Sequence, residues 1–428
     1  MRTHLNSSLS RRVLLARFLQ TPLACAGGSW IVASLLGGVD GAHGNGQLYA
    51  ADEATTPSTT APAADDSFAP KGSWPNFRNG PQLRGIATTT LPEDIALRWE
   101  LRTPDGCMST PAIADGRGYI GTLSGDLLCV DLKDGSTLWK YVSIETDNPK
   151  VFHPGFSSPV TLTKSMVIVG DDAGTLHAVN RSTGKKQWTF ATDALIVGAA
   201  TVRGSVVIFG SHNQHLYGLD LQTGEKRWEF DAKGPINGTQ AILDRKTYVS
   251  GCSEPVLYVV DAEKGTSEQG IPIEDLLIAT PALYDDILYF GTSEGLVIAM
   301  NGKTGKQIWK YETKQGREIH SAPAVTEDSV IIGGRDKLLY CLDRQTGKER
   351  WLFSTRAGND NSPAIVGDRV FFGSGDKFVY AVDLKTGKER WKFNAGQSFN
   401  ESSPVIGDNS LIISTAQPDG RILCFGAK

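Results

Sequence analysis

The stretch "DLKTGKERWKF", Asp383 to Phe393, recurs almost unchanged as "DRQTGKERWLF", Asp343 to Phe353, and "DLQTGEKRWEF", Asp220 to Phe230. In each copy a Trp follows a Gly by four residues. Looser copies read "DLKDGSTLW" to Trp139, "NRSTGKKQW" to Trp188 and "NGKTGKQIW" to Trp309, while "DAEKGTSEQ" keeps the Gly but ends on Gln269. The glycines fall at 135, 184, 224, 265, 305, 347 and 387, so the step is 40 to 42 residues except for one of 49. A fixed period of this length dictates a repeat architecture before any local reading is made.

Inside one period the pattern alternates every second residue. "NSPAIVGDRVFFGSGDKFVYAVDLKTGKERWKF" breaks at Gly-Asp, Gly-Asp-Lys and Lys-Thr-Gly, leaving four short runs of Val, Ile, Phe and Tyr. These read as four antiparallel strands, A to D, joined by tight turns. Four strands every forty-odd residues make a β-propeller blade. The Gly supplies the positive φ of the C–D turn, and the leading Asp or Asn bonds the turn's own amides. Trp then stands on the outermost strand D, facing the next blade.

A second marker keeps step with the first: "STPAI", "SSPVT", "GAATV", "GTQAI", "ATPAL", "SAPAV", "NSPAI" and "SSPVI". There are eight strand A segments but only seven complete A-to-D units. The eighth Trp is Trp99 in "ALRWEL", which precedes the first unit. The sequence therefore predicts an all-β, eight-bladed β-propeller, closed by the N-terminal strand around Trp99. Trp99, Trp139, Trp188, Trp228, Trp309, Trp351 and Trp391 are its docking residues.

The D/N-x-x-T-G-x-x-x-W unit resembles the tryptophan-docking repeat of the PQQ-like, quinoprotein-type propellers. The leader "WPNFRNGP", Trp74 to Pro81, resembles the W-P-x-F-R-G-P start of bacterial PQQ-like repeat proteins, with Asn79 where that pattern has Gly. The likeness covers about residues 74 to 428. In blade count and length it is nearest to the outer-membrane assembly factor BamB and related non-enzymatic members. That branch implies a scaffold without a cofactor, and the enzymatic branch implies PQQ with calcium. Enzymes of the second kind resemble this chain less. They are longer, many carry two adjacent cysteines, and they hold calcium with Glu, Asn and Asp, whereas this chain has no Cys-Cys pair and no matching constellation.

Composition narrows the partners. With 43 basic and 47 acidic residues the net charge is −4, and no basic stripe argues for nucleic acid. Residues 1–49 read as a twin-arginine-like export signal, from Arg11-Arg12 followed by an apolar run. Residues 50–72, rich in Pro, Thr and Ala, read as a disordered linker, leaving 73–428 for the propeller. An extracytoplasmic, periplasmic chain is expected, with peripheral membrane association through an uncleaved signal as an alternative and a monomeric ring. Cys129, Cys341 and Cys424 share one strand C slot that elsewhere holds small residues, so they read as packing cysteines.

Function is expected on the face that carries the D–A connections and the B–C turns, because those loops are free of the repeat's packing duty. The long 49-residue step falls there and offers Phe152, His153 and Phe156 as an apolar finger. Asn237, Glu318, His320, Asn359, Asp360, Phe399, Asn400 and Glu401 precede strand A of blades four and six to eight. Carboxylates from neighbouring blades suit a cation or a peptide's amines. His212 and His215 read as a solvated turn rather than a metal pair. The resulting expectation is a non-catalytic interaction scaffold for envelope proteins or peptides, with a BamB-like role in outer-membrane protein assembly. Its alternatives are a PQQ-dependent dehydrogenase of alcohols or sugars and a sugar- or peptide-binding sensor.

Overall fold

The computed structural model describes residue 68 and residues 70–146, 148, 151–399, 401–415 and 419–428. The export signal and most of the linker lie outside the described residues. Eight four-stranded antiparallel sheets follow one another. Blades 1 to 7 span 112–142, 161–191, 201–231, 242–272, 282–312, 324–354 and 364–394. Blade 8 takes strands A to C from Val405–Gly407, Ser410–Ser414 and Gly420–Ala427, and its strand D is Ile95–Thr103. Trp99 stands opposite Cys424 there, as Trp391 stands opposite Ala381 and Trp351 opposite Cys341. The closing strand is the one the offset of the repeats required.

Two concentric sets of contacts join the blades. On the outside, each indole lies on the C–D turn glycine of the following blade. Trp99 covers Gly135, Trp139 Gly184, Trp188 Gly224, Trp228 Gly265, Trp309 Gly347 and Trp351 Gly387. Most of these indoles also donate to the carbonyl after the next blade's Asp or Asn, as Trp99 does to Leu132 at 2.9 Å and Trp351 to Leu384 at 3.0 Å. Asp383 Oδ1 in turn accepts from the amides of Lys385 and Thr386 at 3.1 and 2.8 Å, fixing the turn that receives the ring. Trp391 meets blade 8, which has no such turn, by an edge contact with Phe425 at 5.3 Å.

Around the channel, the Ser-Pro-type segments form the inner set. Ser403 N donates to Thr110 Oγ1, Ala199 N to Thr239 Oγ1, Thr239 N to Thr280 Oγ1, Ala322 N to Ser362 Oγ and Ser362 N to Ser403 Oγ, at 2.8–3.1 Å. The second sequence marker is thus a hydrogen-bonded belt, which reaches from blade to blade where the strands are closest together. Between the two sets lies the core: buried clusters straddle the seams, as Ile168 and Trp188 do with Phe209 and Leu219.

The cysteines opposite Trp are buried packing residues, and burial pushes the Cys341 thiol up to about 11. Blade 4 is the exception on the outside. Gln269 is exposed, and Ile271 takes the indole's place over Gly305. Tyr248 approaches Gly302 beside it, but its hydroxyl has no hydrogen-bond partner among the described residues. This seam lacks both the ring area and the indole hydrogen bond, so backbone amides of strands 267–272 and 296–301 should exchange with solvent faster than their counterparts in blades 6 and 7. Hydrogen-exchange mass spectrometry reads this directly, and equal protection across the three blades would contradict it.

The leader has no counterpart in the repeat. Running inside strand D of blade 8, it crosses the channel at the end that carries the A–B turns. Gly72 O accepts from Asp408 N of blade 8, and Trp74 exchanges two bonds with Ile113 of blade 1. Pro75 O accepts from Leu162 of blade 2, Pro81 O from Ile242 of blade 4 and Gln82 O from Leu283 of blade 5. Arg84 O accepts from Val325 of blade 6, and Gly85 and Ala87 bracket Ile365 of blade 7. A local loop on this path, closed by Gly85 N donating to Arg78 O at 2.7 Å, starts on left-handed residues, with φ of 63° at Arg78, 57° at Asn79 and 88° at Gly80. Asn is among the few side chains that adopt this conformation readily, which is why it can stand where the pattern has Gly. Upstream, Phe68 already lies under the Arg181 guanidinium, 4.1 Å from carbon to ring centre, so the end of the expected linker is docked.

Candidate functional site: the open mouth of the channel

With one end crossed by the leader, the channel's other mouth is bounded by the D–A connections and the B–C turns. Except after blade 4, whose strand B ends on Val249, the connections that leave blades 1 to 7 first send one side chain down onto the glycine that ends strand B. Ile196 lies over Gly170, Ile236 over Gly210 and Ile319 over Gly291. Phe156 over Gly121, Asn359 over Gly333 and Phe399 over Gly373 fill the same slot. These three are fully buried and therefore are not displayed on the rim as the sequence reading had placed them. Phe156 meets the edge of His177 at 5.2 Å, and only Phe152 of the expected finger is exposed, at 50%. His153 packs its Cβ against the turn at Gly125.

Beneath Phe156, Tyr141 Oη and His177 Nδ1 are 2.9 Å apart, and His177 Nε2 and Asp171 Oδ2 are also 2.9 Å apart. Asp171 Oδ1 accepts from Ala173 N and Thr175 N at 3.0 and 2.7 Å. All three side chains are buried, and burial pushes the Tyr141 hydroxyl up to about 12. This network braces a turn and has no access to a substrate.

What remains at the mouth is charged. Arg335, on the B–C turn of blade 6, reaches Glu318 at 2.5 Å and both oxygens of Asp360 at 3.0 and 3.1 Å. His320 Nε2 lies 2.9 Å from Glu318 Oε2. Glu401 and Asp172 complete the group. Glu401 is solvent-exposed yet closely surrounded by protein. Its carboxyl is raised to about 7, first by desolvation, then by the charges of Asp360 and Asp172, with Arg335 opposing. Desolvation also lifts Asp172 to about 6, against a hydrogen bond from Ser157. Glu318 is held below its ordinary value because His320 and Arg335 outweigh its burial. Asn400 lies outside the described residues.

Asn237 stands apart from this group. Its Oδ1 is 2.6 Å from His212 Nε2, and its amide donates to Cys252 Sγ at 3.0 Å. His215 turns instead to the Asn213 carbonyl at 2.9 Å, so the two histidines do not converge. Sequence reasoning missed Asp172 and Arg335, which sit on B–C turns. The signal was there in the second Asp of "GDDAGT" and the Arg of "GGRDK".

The raised carboxyls have a consequence for stability. Between about pH 4.5 and 7 folded Glu401 keeps a proton that the unfolded chain has released, so the native state binds more protons and stability falls as pH rises. Glu401→Gln should match the parent in urea denaturation below pH 4.5 and exceed it above pH 7. Parallel curves at the two pH values would refute the assignment.

Similarity to known proteins agrees with this construction. The family model described as "Outer membrane protein assembly factor BamB" matches residues 123–275 and 293–427. The chain belongs to the BamB-type family of PQQ-like propellers. A curated BamB from Xanthomonas campestris pv. campestris is 29% identical over 84 residues, which is 19% of this chain and 21% of that protein. The match therefore spans about a fifth of the relative's length. The crystal structure of BamB from Moraxella catarrhalis superposes with a TM-score of 0.64 at 18% identity, over 78% of this chain and 98% of that one. A europium-containing methanol dehydrogenase gives 0.68 at 13% identity, over 83% and 98%. At these identities the BamB-type chain and the enzyme share its fold alike.

The enzymatic relatives raise the question of a quinone with a metal. Among the described residues no three His, Cys, Asp or Glu side chains are grouped to hold a metal ion. Glu318 and Asp360 at the mouth are already bound by Arg335. The described residues do not fit the metal of a calcium–quinone pair.

Proposed function

We propose that this BamB-like propeller is a non-catalytic, extracytoplasmic interaction scaffold whose open channel mouth receives envelope proteins, in the service of outer-membrane protein assembly. The observation that carries the reading is the asymmetry of the ring. One end is crossed by the chain's own leader, while the other presents Glu401 and Asp172 beside Glu318 and Asp360, which Arg335 partly neutralises. Such a rim suits a partner segment bearing Lys or Arg, with exposed Phe152 as an apolar contact beside it.

A photo-crosslinker at Phe152 or Asp360 should capture an envelope protein in cells, whereas one at exposed Lys385, on the opposite face, should not. Capture should fall at least tenfold when Glu318 and Glu401 are both changed to Lys. Equal capture from the two faces would overturn the reading, as would dye-linked alcohol oxidation by purified chain supplied with PQQ and calcium.

A further inference from the structure

The leader carries a wholly buried cation that no acid neutralises. Arg78 is 1% exposed. Its Nη2 donates to Pro323 O at 3.1 Å, but Nε and Nη1 have no acceptor in the described chain. Nothing acidic acts on the group, and burial alone brings the guanidinium down to about 9.

Neighbouring arginines are treated otherwise. Arg369, also buried, gives its Nη atoms to the carbonyls of Leu91, Pro92 and Glu93, with the Glu93 carboxylate 3.8 Å away. Arg84 donates to Val325 O at 3.2 Å and stacks 4.1 Å over the Tyr284 ring. At Arg78 the fold instead combines desolvation with a left-handed backbone, φ 63°, and sets the guanidinium against the bare backbone of Gly85.

Burying an unpaired charge is costly even after relaxation, so a group kept in this state calls for a partner that the described residues do not supply. Water can take the N–H groups of Nε and Nη1 but leaves the charge unmatched. An anion does both. It must also be small, because the side chain is buried, with its guanidinium against Gly85 and the Pro323 carbonyl.

We propose that the leader-closed end of the channel is a binding site for a small monovalent anion of the halide class, held by Nε and Nη1 of Arg78. The bound ion neutralises the leader where it crosses the ring, so its occupancy stabilises that end of the channel. The site is separate from the acidic mouth and does not depend on the scaffold reading.

Crystals of the full chain soaked in sodium bromide should show an anomalous peak within hydrogen-bonding reach of Arg78 Nε and Nη1. In solution at fixed ionic strength, replacing gluconate with chloride should raise the melting temperature by about 5 °C for the parent, and Arg78→Gln should remove that dependence. Bromide found only at surface positions, as an adventitious ion only, would overturn the site. So would an Arg78→Gln protein that keeps the parent's chloride response. If Arg78→Gln does not fold, the bromide map of the parent decides alone.

Discussion

A chain lacking residues 1–105 should lose its single cooperative unfolding transition, whereas one lacking residues 1–67 should melt with the parent. The longer deletion removes Ile95–Thr103, the outermost strand of blade 8, together with the leader. Trp99 goes with it, and so do its contact with Gly135 and its bond to Leu132. That leaves the edge of Gly420–Ala427 unpaired and opens the seam between blades 8 and 1, where Trp74, Ile113, Ile412 and Phe425 share one buried cluster. A third chain lacking residues 1–90 keeps the strand but loses the leader, and should melt between the other two. Calorimetry on all three separates the contributions. Coincident transitions for the 1–67 and 1–105 deletions would show that the ring does not need its closing strand.

Trp351→Ala should lower stability by about 3–5 kcal/mol, the usual range for truncating a buried aromatic side chain that leaves its site unfilled. The indole is 9% exposed, lies on Gly387 and donates to Leu384 O. Gly387→Ala attacks the same contact from the other side. Gly387 has φ 70°, and a Cβ there would sit 2.6 Å from the indole. In the Trp351→Ala background that clash disappears and only the backbone strain remains, so the two changes should be markedly less than additive. Urea denaturation of the four proteins gives the coupling. Full additivity would mean that the ring and the turn do not act on one another.

The sequence made the ring legible because its contacts repeat. The Trp-to-Gly docking, the Asp and Asn turns, the packing cysteines and the closing strand all follow from residues at equal spacing. The leader's path was illegible for the converse reason. Its sixteen or so residues meet seven blades by backbone hydrogen bonds that leave no side-chain period behind. At the mouth, Glu318, His320, Asp360 and Glu401 stand together as their loop positions suggested, joined by Arg335 and Asp172 from the turns. Phe156, Asn359 and Phe399 were misplaced because each was read alone. Aligned with Ile196, Ile236 and Ile319, they occupy an apolar slot, and Asn359 accepts a bond from Thr355 Oγ1 at 3.1 Å within it.

Ile95–Thr103 pairs with Gly420–Ala427, more than three hundred residues later in the chain. During synthesis, then, the earliest part of the ring must wait for the last. At roughly 5–20 residues per second, Trp99 emerges from the ribosome about 15–65 seconds before its partner Cys424 in blade 8 is available. Partial chains must keep that apolar side chain soluble meanwhile. Closure of the ring is thereby tied to synthesis of its last blade.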